Sequence, residues 1–310
     1  MKKKKEQPSE EKKLISNKRL AILSMVLVAV IVLGFLLAQI FVQPTEVEFP
    51  FRAAIIDQVG ENFPSSPTSA HEFNETVTNL LEHAGFNVSY HKSTSITVNF
   101  FRGLAKFNYG IIILRAHSAL RETKTLLDIF TSEEFKSSNT YSYVTKGNYT
   151  WQPGKFYFAI TPEFIENLEG VFPKSIVIAM GCWSLKSGYN EMADAFIKKG
   201  AKAYIGWTDA VSMSHTDNST IRFLRYFLAN KTISEAIGEC NMIPDPEWDP
   251  GWGSPAELAY LPFTIGEYKL SDFAAKTALN KLFIAAQAYL LSENEKLYHF
   301  KNCRLIFCSV

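Results

Sequence analysis

An excess of charge of one sign is missing from this 310-residue sequence, which carries 32 Lys or Arg against 31 Asp or Glu. The balance excludes the strongly basic footprint of a nucleic-acid ligand, which shows as a positive patch or stripe. Cysteine is scarce, with four residues at Cys182, Cys240, Cys303 and Cys308. A small disulfide scaffold needs far denser usage; Cys303 and Cys308 are close enough in sequence to pair, whereas Cys182 and Cys240 have no obvious partner by spacing. There is no H-E-x-x-H, the His71-Glu72 pair being left incomplete, and no Cys-x-x-Cys, so a zinc site has no ligand set. There is no G-x-S-x-G elbow, no Walker A loop, and the lone G-x-G, Gly251-Trp-Gly253, follows no strand. Metal, serine-hydrolase and nucleotide chemistries therefore find no support, and neither repeats nor low-complexity tracts occur.

What is present begins with a long apolar run. Residues 20–42 contain no charge and only two polar side chains, Ser24 and Gln39. As a helix they would span roughly 34 Å, enough for a hydrocarbon core of about 30 Å. Residues 1–19 hold eight basic and three acidic side chains, while Glu46 and Glu48 follow the run. The positive-inside rule thus predicts a signal-anchor in the cell membrane with a cytoplasmic basic tail and everything after it outside. A cleaved signal peptide is the alternative; the run exceeds the usual h-region and lacks an A-x-A site. The part beyond the tail carries 24 basic and 28 acidic residues, a net charge of −4. Five N-x-[ST] sequons, at Asn74, Asn87, Asn148, Asn218 and Asn230, all lie beyond the run.

From Arg52 onward strand and helix patterns alternate. Residues 53–57 (AAIID), 109–114 (YGIIIL), 175–180 (SIVIAM) and 203–206 read as buried strands, and residues 86–90 as a further one. Helical spacing links Phe73, Val77, Leu80, Leu81 and Ala84, with Thr68 or Ser69 as cap and Gly85 as stop. Residues 122–135 read as helix and 140–160 as one or two antiparallel hairpins. Asn190 reads as the cap of a short helix ending at Gly200, and residues 217–228 and 272–291 as amphipathic helices. Residues 243–266, with five prolines, read as a long loop. The sum is an α/β fold with an open, mostly parallel sheet and helices on both faces. The predicted organisation is a tail (1–19), a transmembrane helix (20–42), a linker (43–51), an α/β domain (52–242), and a Pro-rich loop with a C-terminal helix packed on it (243–310).

Ligands of such sheets bind beyond the carboxyl ends of the strands. Arg115, Ala116, His117 and Ser118 follow one strand; Gly181, Cys182, Trp183 and Ser184 follow another. A thiol beside an imidazole is the minimum for covalent acyl transfer: the thiolate attacks and the imidazolium protonates the leaving amine. An isolated His or Cys is more often structural.

The order strand–His-Ser, strand–Gly-Cys, then helix, Gly200-Ala201 and a strand into Trp207 resembles the caspase-like cysteine peptidases, among them gingipain-, clostripain- and CHAT-type domains. The stretch 178–239 is the most similar, and the resemblance covers about residues 52–240. It implies a three-layer α/β/α sandwich in which His117 is the general acid/base and Cys182 the nucleophile. Backbone of Ser118 and of Gly181 leading into Cys182 would form the oxyanion hole. The family usually has Gly after the His and Ala before the Cys; Ser118 and Gly181 depart from both. A specificity pocket is implied at Asp57, Met180, Trp183, Trp207 and Asp209, where two acids would favour a basic P1 side chain. The expected partners are a peptide or protein substrate and the lipid bilayer through residues 20–42, with no cofactor, no metal and no nucleic acid. Two functions remain open: an extracytoplasmic cysteine endopeptidase, or an inactive caspase-like ectodomain that binds or senses.

Overall fold

The computed structural model describes residues 25–33, 48–60, 70–121, 125–149 and 152–273. The chain divides into two units, Met1–Val47 and Glu48–Val310. In the first, residues 25–33 are helical and their apolar side chains are exposed. No helix among the described residues is long and apolar enough to cross a membrane; most of the expected span 20–42 lies outside them, as do Thr68 and Ser69, Cys303 and Cys308.

The second unit runs β1 (Arg52–Asp57), α1 (Ala70–His83), β2 (Asn87–Lys92), α2 (Val98–Gly103), β3 (Ile111–Arg115), β4 (Ser118–Leu120), β5 (Leu127–Glu134), β6 (Val144–Asn148) and β7 (Phe156–Ile160). It continues with α3 (Pro162–Glu166), β8 (Ile176–Ala179), α4 (Glu191–Lys198), β9 (Ala203–Trp207), α5 (Met213–Leu228), α6 (Ile233–Asn241), β10 (Leu258–Leu261) and α7 (Leu270–Phe273). Six strands form one sheet in the order β10-β9-β8-β3-β1-β2. All neighbours are parallel except β10, which closes the edge antiparallel to β9.

The continuous apolar runs make these strands because both faces of the sheet are covered. Ala53, Ile55, Ile111, Ile113, Ile178 and Ile205 face a core shared with Phe73 and Val77 of α1 and Phe223, Leu224 and Phe227 of α5. The alternate residues Ala54, Ile56, Ile112, Leu114, Val177 and Ala179 face a second core with Phe101 of α2, Phe164 of α3 and Phe196 of α4. The chain leaves β1 toward β2 and returns to β3 on the other side of β1, so the strand order reverses at the carboxyl ends of β1 and β3, the position where ligands of such sheets bind. The second sheet, β4-β5-β7-β6, is antiparallel and starts three residues after β3 ends.

Several sequence expectations change. Residues 122–135 are not helical where described: β5 occupies most of that segment, paired with β4 and β7. The stretch 243–266 is not wholly loop; it holds a 3₁₀ turn at Pro250–Trp252 and the strand β10. α5 starts at Met213 rather than Asp217, because the Ser212 hydroxyl caps it by accepting the His215 N–H. Asn190 stands at the N-cap of α4, but its side chain makes no capping bond. The hairpin expected within 140–160 is β6 and β7. Of the last helix, only its overlap with α7 falls within the described residues.

Candidate functional site

The register of β3 on β8 pairs Leu114 with Ala179, and the Met180 N–H extends the ladder to the Leu114 carbonyl at 3.0 Å. Just beyond both strands the two segments stay close, Gly181 lying against the Ala116 carbonyl and Ser118. Neighbouring strands lie about 5 Å apart. The Ser118 hydroxyl crosses this gap and donates to the Cys182 carbonyl at 2.6 Å. A Cβ on residue 181 would sit 2.2 Å from that hydroxyl oxygen and 2.6 Å from the Ala116 carbonyl, so the close approach requires glycine.

His117 is held on three sides. Its N–H donates to Gln58 Oε1 at 3.1 Å, its carbonyl accepts from the Phe130 N–H at 2.9 Å, and its ring lies 4.9 Å from that of Tyr149. Gln58 follows β1 directly and is fully buried. Its Nε2 donates to the Tyr149 hydroxyl at 2.8 Å. Two residues before His117, Arg115 is buried in an ionic cluster. Its Nε and Nη2 fork the Asp217 carboxylate at 2.8 and 2.9 Å, and Nη1 reaches Asp57 at 2.7 Å. Its guanidinium lies 5.1 Å over the Phe73 ring. Burial opposes the charge on Arg115, but Asp217 and Asp57 outweigh it and keep the group protonated. Burial, aided by the Arg115 charge, lowers His117 to about 4, so the imidazole is neutral at neutral pH.

Cys182 sits in a tight turn. Trp183 adopts φ +57°, in the left-handed region that aromatic residues rarely enter. Asp209 fixes it there: the Trp183 N–H donates to the Asp209 carbonyl at 3.0 Å, and the indole N–H to the Asp209 carboxylate at 2.7 Å. The Ser184 hydroxyl then donates to the Ala179 carbonyl at 2.9 Å and accepts from the Trp207 N–H at 2.8 Å. It bridges β8 and β9 where their ladder has ended. The thiol of Cys182 donates to the Val211 carbonyl at 3.6 Å. Burial pushes this thiol above its usual range, with Asp209 and Asp245 adding to the shift.

The strand register turns one backbone donor beside these groups away from the second sheet. The Phe130 N–H bond to the His117 carbonyl makes Ser118 and Ile129 a non-hydrogen-bonded pair, so the Ser118 N–H turns away from β5. At Cys182 a backbone hydrogen bond of the residue itself works against the effect of burial on the thiol. An oxyanion hole needs backbone donors that are not already engaged.

The residues expected to wall a specificity pocket fare differently. Asp57 is fully buried and bonded to Arg115 and to the Tyr90 hydroxyl, at 2.7 and 3.0 Å, which closes it to a substrate. Met180 and Trp207 are buried; the Met180 carbonyl and the Trp207 indole both bond to the Thr216 hydroxyl. Asp209 is committed to Trp183, with the Lys186 ammonium 3.5 Å away. Burial alone would raise its carboxyl, but the Ala210 N–H, the indole and Lys186 hold it below the usual range. Trp183 alone of the five keeps a partly exposed surface. Sequence reasoning missed Gln58, Tyr149 and Asp217, and named Arg115 only as a strand-end residue without a role. Gln58 carries the same signal, its place just after a strand; Tyr149 and Asp217 carry none. Among the described residues, no group of three or more His, Cys, Asp or Glu could hold a metal ion. No protein-family model matches the chain, and no curated protein matches it either.

Proposed function

We propose that this protein is a membrane-anchored cysteine endopeptidase with a caspase-like α/β/α fold, held by residues 20–42 with its catalytic domain outside the cytoplasm. The observation that carries the reading is the placement of His117 and Cys182 just beyond the ends of adjacent parallel strands, with the Ser118 N–H turned away from β5 beside them. In the proposed cycle the neutral His117 imidazole takes the Cys182 proton as the sulfur attacks the scissile carbonyl. The Ser118 and Cys182 N–H groups receive the developing oxyanion, each contributing about 3 kcal/mol to its stabilisation. The imidazolium then protonates the departing amine, and water, activated by the same imidazole, releases the acyl group and restores the thiol. The raised thiol and lowered imidazole favour this concerted transfer over a standing ion pair.

With Asp57 closed off, a basic P1 side chain would have to draw on Asp209, already shared with Trp183 and Lys186. The second reading, an inactive caspase-like ectodomain that binds or senses, is favoured by the burial that holds the Cys182 thiol above its usual range and so disfavours the thiolate. One experiment separates the two. Peptide electrophiles bearing Arg, Lys, Asp or Asn at P1 are offered to the wild type and to Cys182→Ala. Labelling of the wild type alone supports the peptidase and reports its P1 preference; equal labelling of both proteins, or of neither, rejects it.

A further inference from the structure

We infer that Gln58 is a positioning residue for His117, an inference that rests on the proposed peptidase reading. A fully buried glutamine that meets only backbone could be filling space. Gln58 instead joins three elements of the site. Its own N–H donates to the Arg115 carbonyl at 2.9 Å, which continues the β1–β3 ladder one step beyond the strands. Its side-chain oxygen accepts the His117 N–H at 3.1 Å, and its side-chain nitrogen donates to the Tyr149 hydroxyl at 2.8 Å. The amide orientation follows from chemistry: a backbone N–H can only donate, so the oxygen must face His117 and the nitrogen must face Tyr149. The Tyr149 ring in turn packs against the His117 ring and stacks on Phe130 at 4.9 Å and 27°. Phe130 also donates its N–H to the His117 carbonyl. One amide thus couples the main chain of His117 to the aromatic wall against which its ring rests. Without it, both the peptide plane and the ring lose a fixed reference, and a displacement of about 1 Å in a reacting group slows a reaction by about 10²-fold.

The test compares wild type, Gln58→Met, Gln58→Glu and Tyr149→Phe, as full chains, in inactivation by a peptide acyloxymethyl ketone. Met keeps the length but loses both polar contacts. Glu accepts from His117 N–H and from the Tyr149 hydroxyl, so it can rescue. The reading is the limiting inactivation rate and the half-saturating concentration, counted per Cys182 labelled at exhaustion, which removes misfolded molecules from the comparison. The expected result is a limiting rate lowered about 100-fold in Gln58→Met and about tenfold in Tyr149→Phe, with half-saturation unchanged, and recovery of most of the rate in Gln58→Glu. Should Gln58→Met fail to fold, the Tyr149→Phe and Gln58→Glu pair decides by the same criterion. Equal limiting rates in all four proteins overturn the role of Gln58 while leaving the peptidase intact. A wild type that is not labelled at Cys182 overturns the peptidase and the role of Gln58 together.

Discussion

Replacing Gly181 with alanine would place a methyl carbon 2.2 Å from the Ser118 hydroxyl and 2.6 Å from the Ala116 carbonyl. Ser118 and Gly181 are the two positions that depart from the usual caspase-like pattern, and they touch each other. The hydroxyl fills the space that a Cβ on residue 181 would need, and it ties the strand ends through the Cys182 carbonyl. Gly181→Ala alone should therefore destabilise by about 1–3 kcal/mol through overpacking, and Ser118→Gly alone by about 1 kcal/mol through the lost bond. The double variant removes the hydroxyl clash but not the backbone one. Denaturant unfolding of all four proteins should yield a coupling of about 1–2 kcal/mol; strict additivity would mean the two departures are independent. His117 supplies a second prediction at this scale. Its folded value of about 4 lies below the unfolded value of 6.5, so between those pH values the unfolded chain binds more protons. Stability is unaffected by this group above 6.5, falls as pH drops from 6.5 to 4, and has lost roughly 3 kcal/mol below that window. In His117→Gln the slope of unfolding free energy across this window should flatten relative to wild type. The acid limb of inactivation by the electrophile should likewise lie near pH 4, because the base must be neutral to accept a proton.

The first turn of α5 acts as a clamp on three strand ends. Asp217 holds Arg115 of β3, while Thr216 bonds the Met180 carbonyl after β8 and the Trp207 indole of β9. Arg115 has two carboxylate partners, so their removals are not equivalent. Asp217→Asn leaves Arg115 and Asp57 as a neutral pair and should cost about 1–3 kcal/mol. Arg115→Met leaves two buried carboxylates with no cation and should cost about 3–5 kcal/mol or more. Urea unfolding at pH 7 checks the order, and a larger loss in Asp217→Asn would show that the helix contact, not the charge, dominates. Elements with a strong local signal were legible in advance. The runs IIILR and IVIA are too apolar for anything but a doubly covered strand, and Gly85 and Gly200 take positive φ at the ends of α1 and α4. β5 misled because Leu127, Ile129 and Phe130, followed by Glu133 and Glu134, also suit a helix; pairing with β4 and with β7, some thirty residues away in sequence, decides it. β10 was hidden by Pro255 and Pro262 on either side, which an edge strand accommodates. The same limit applies to the site. His117 and Cys182 stand at strand ends that sequence reveals, whereas Gln58, Tyr149 and Asp217 reach it from 59, 32 and 100 residues away from His117 along the chain, and no local pattern records such meetings.

At the scale of the whole chain, the proposed anchor can be argued by magnitude. Residues 20–42 contain sixteen Leu, Ile, Val or Phe side chains. At about −0.3 to −0.6 kcal/mol each near the centre of a span, they favour insertion by roughly 5–10 kcal/mol, whereas one Arg there opposes it by about 3 kcal/mol. A single Val30→Arg change should therefore leave the full chain in the membrane fraction after alkaline carbonate extraction. The triple change Leu27→Arg, Val30→Arg and Leu33→Arg opposes insertion by roughly 8–10 kcal/mol and should release it. Release by the single change would mean that the run is held by something weaker than a spanning helix; retention of the triple variant would mean that other residues bind the membrane. Orientation is read separately. Cys182 is partly exposed and Cys240 buried, so in intact cells a membrane-impermeant thiol reagent should reach Cys182 in the wild type and lose that signal in Cys182→Ala. If the proposed orientation holds, the thiol would meet oxidants that the cytosol excludes. In that setting the burial that raises the Cys182 thiol would slow its oxidation, since a resting thiol is a poorer target than a thiolate. The neutral imidazole beside it would then draw off the proton only as a substrate carbonyl arrives. Reduced full-length protein left in air at pH 7 should accordingly keep its Cys182 titre for longer than Asp209→Asn does, where one of the two charges that raise the thiol has been removed.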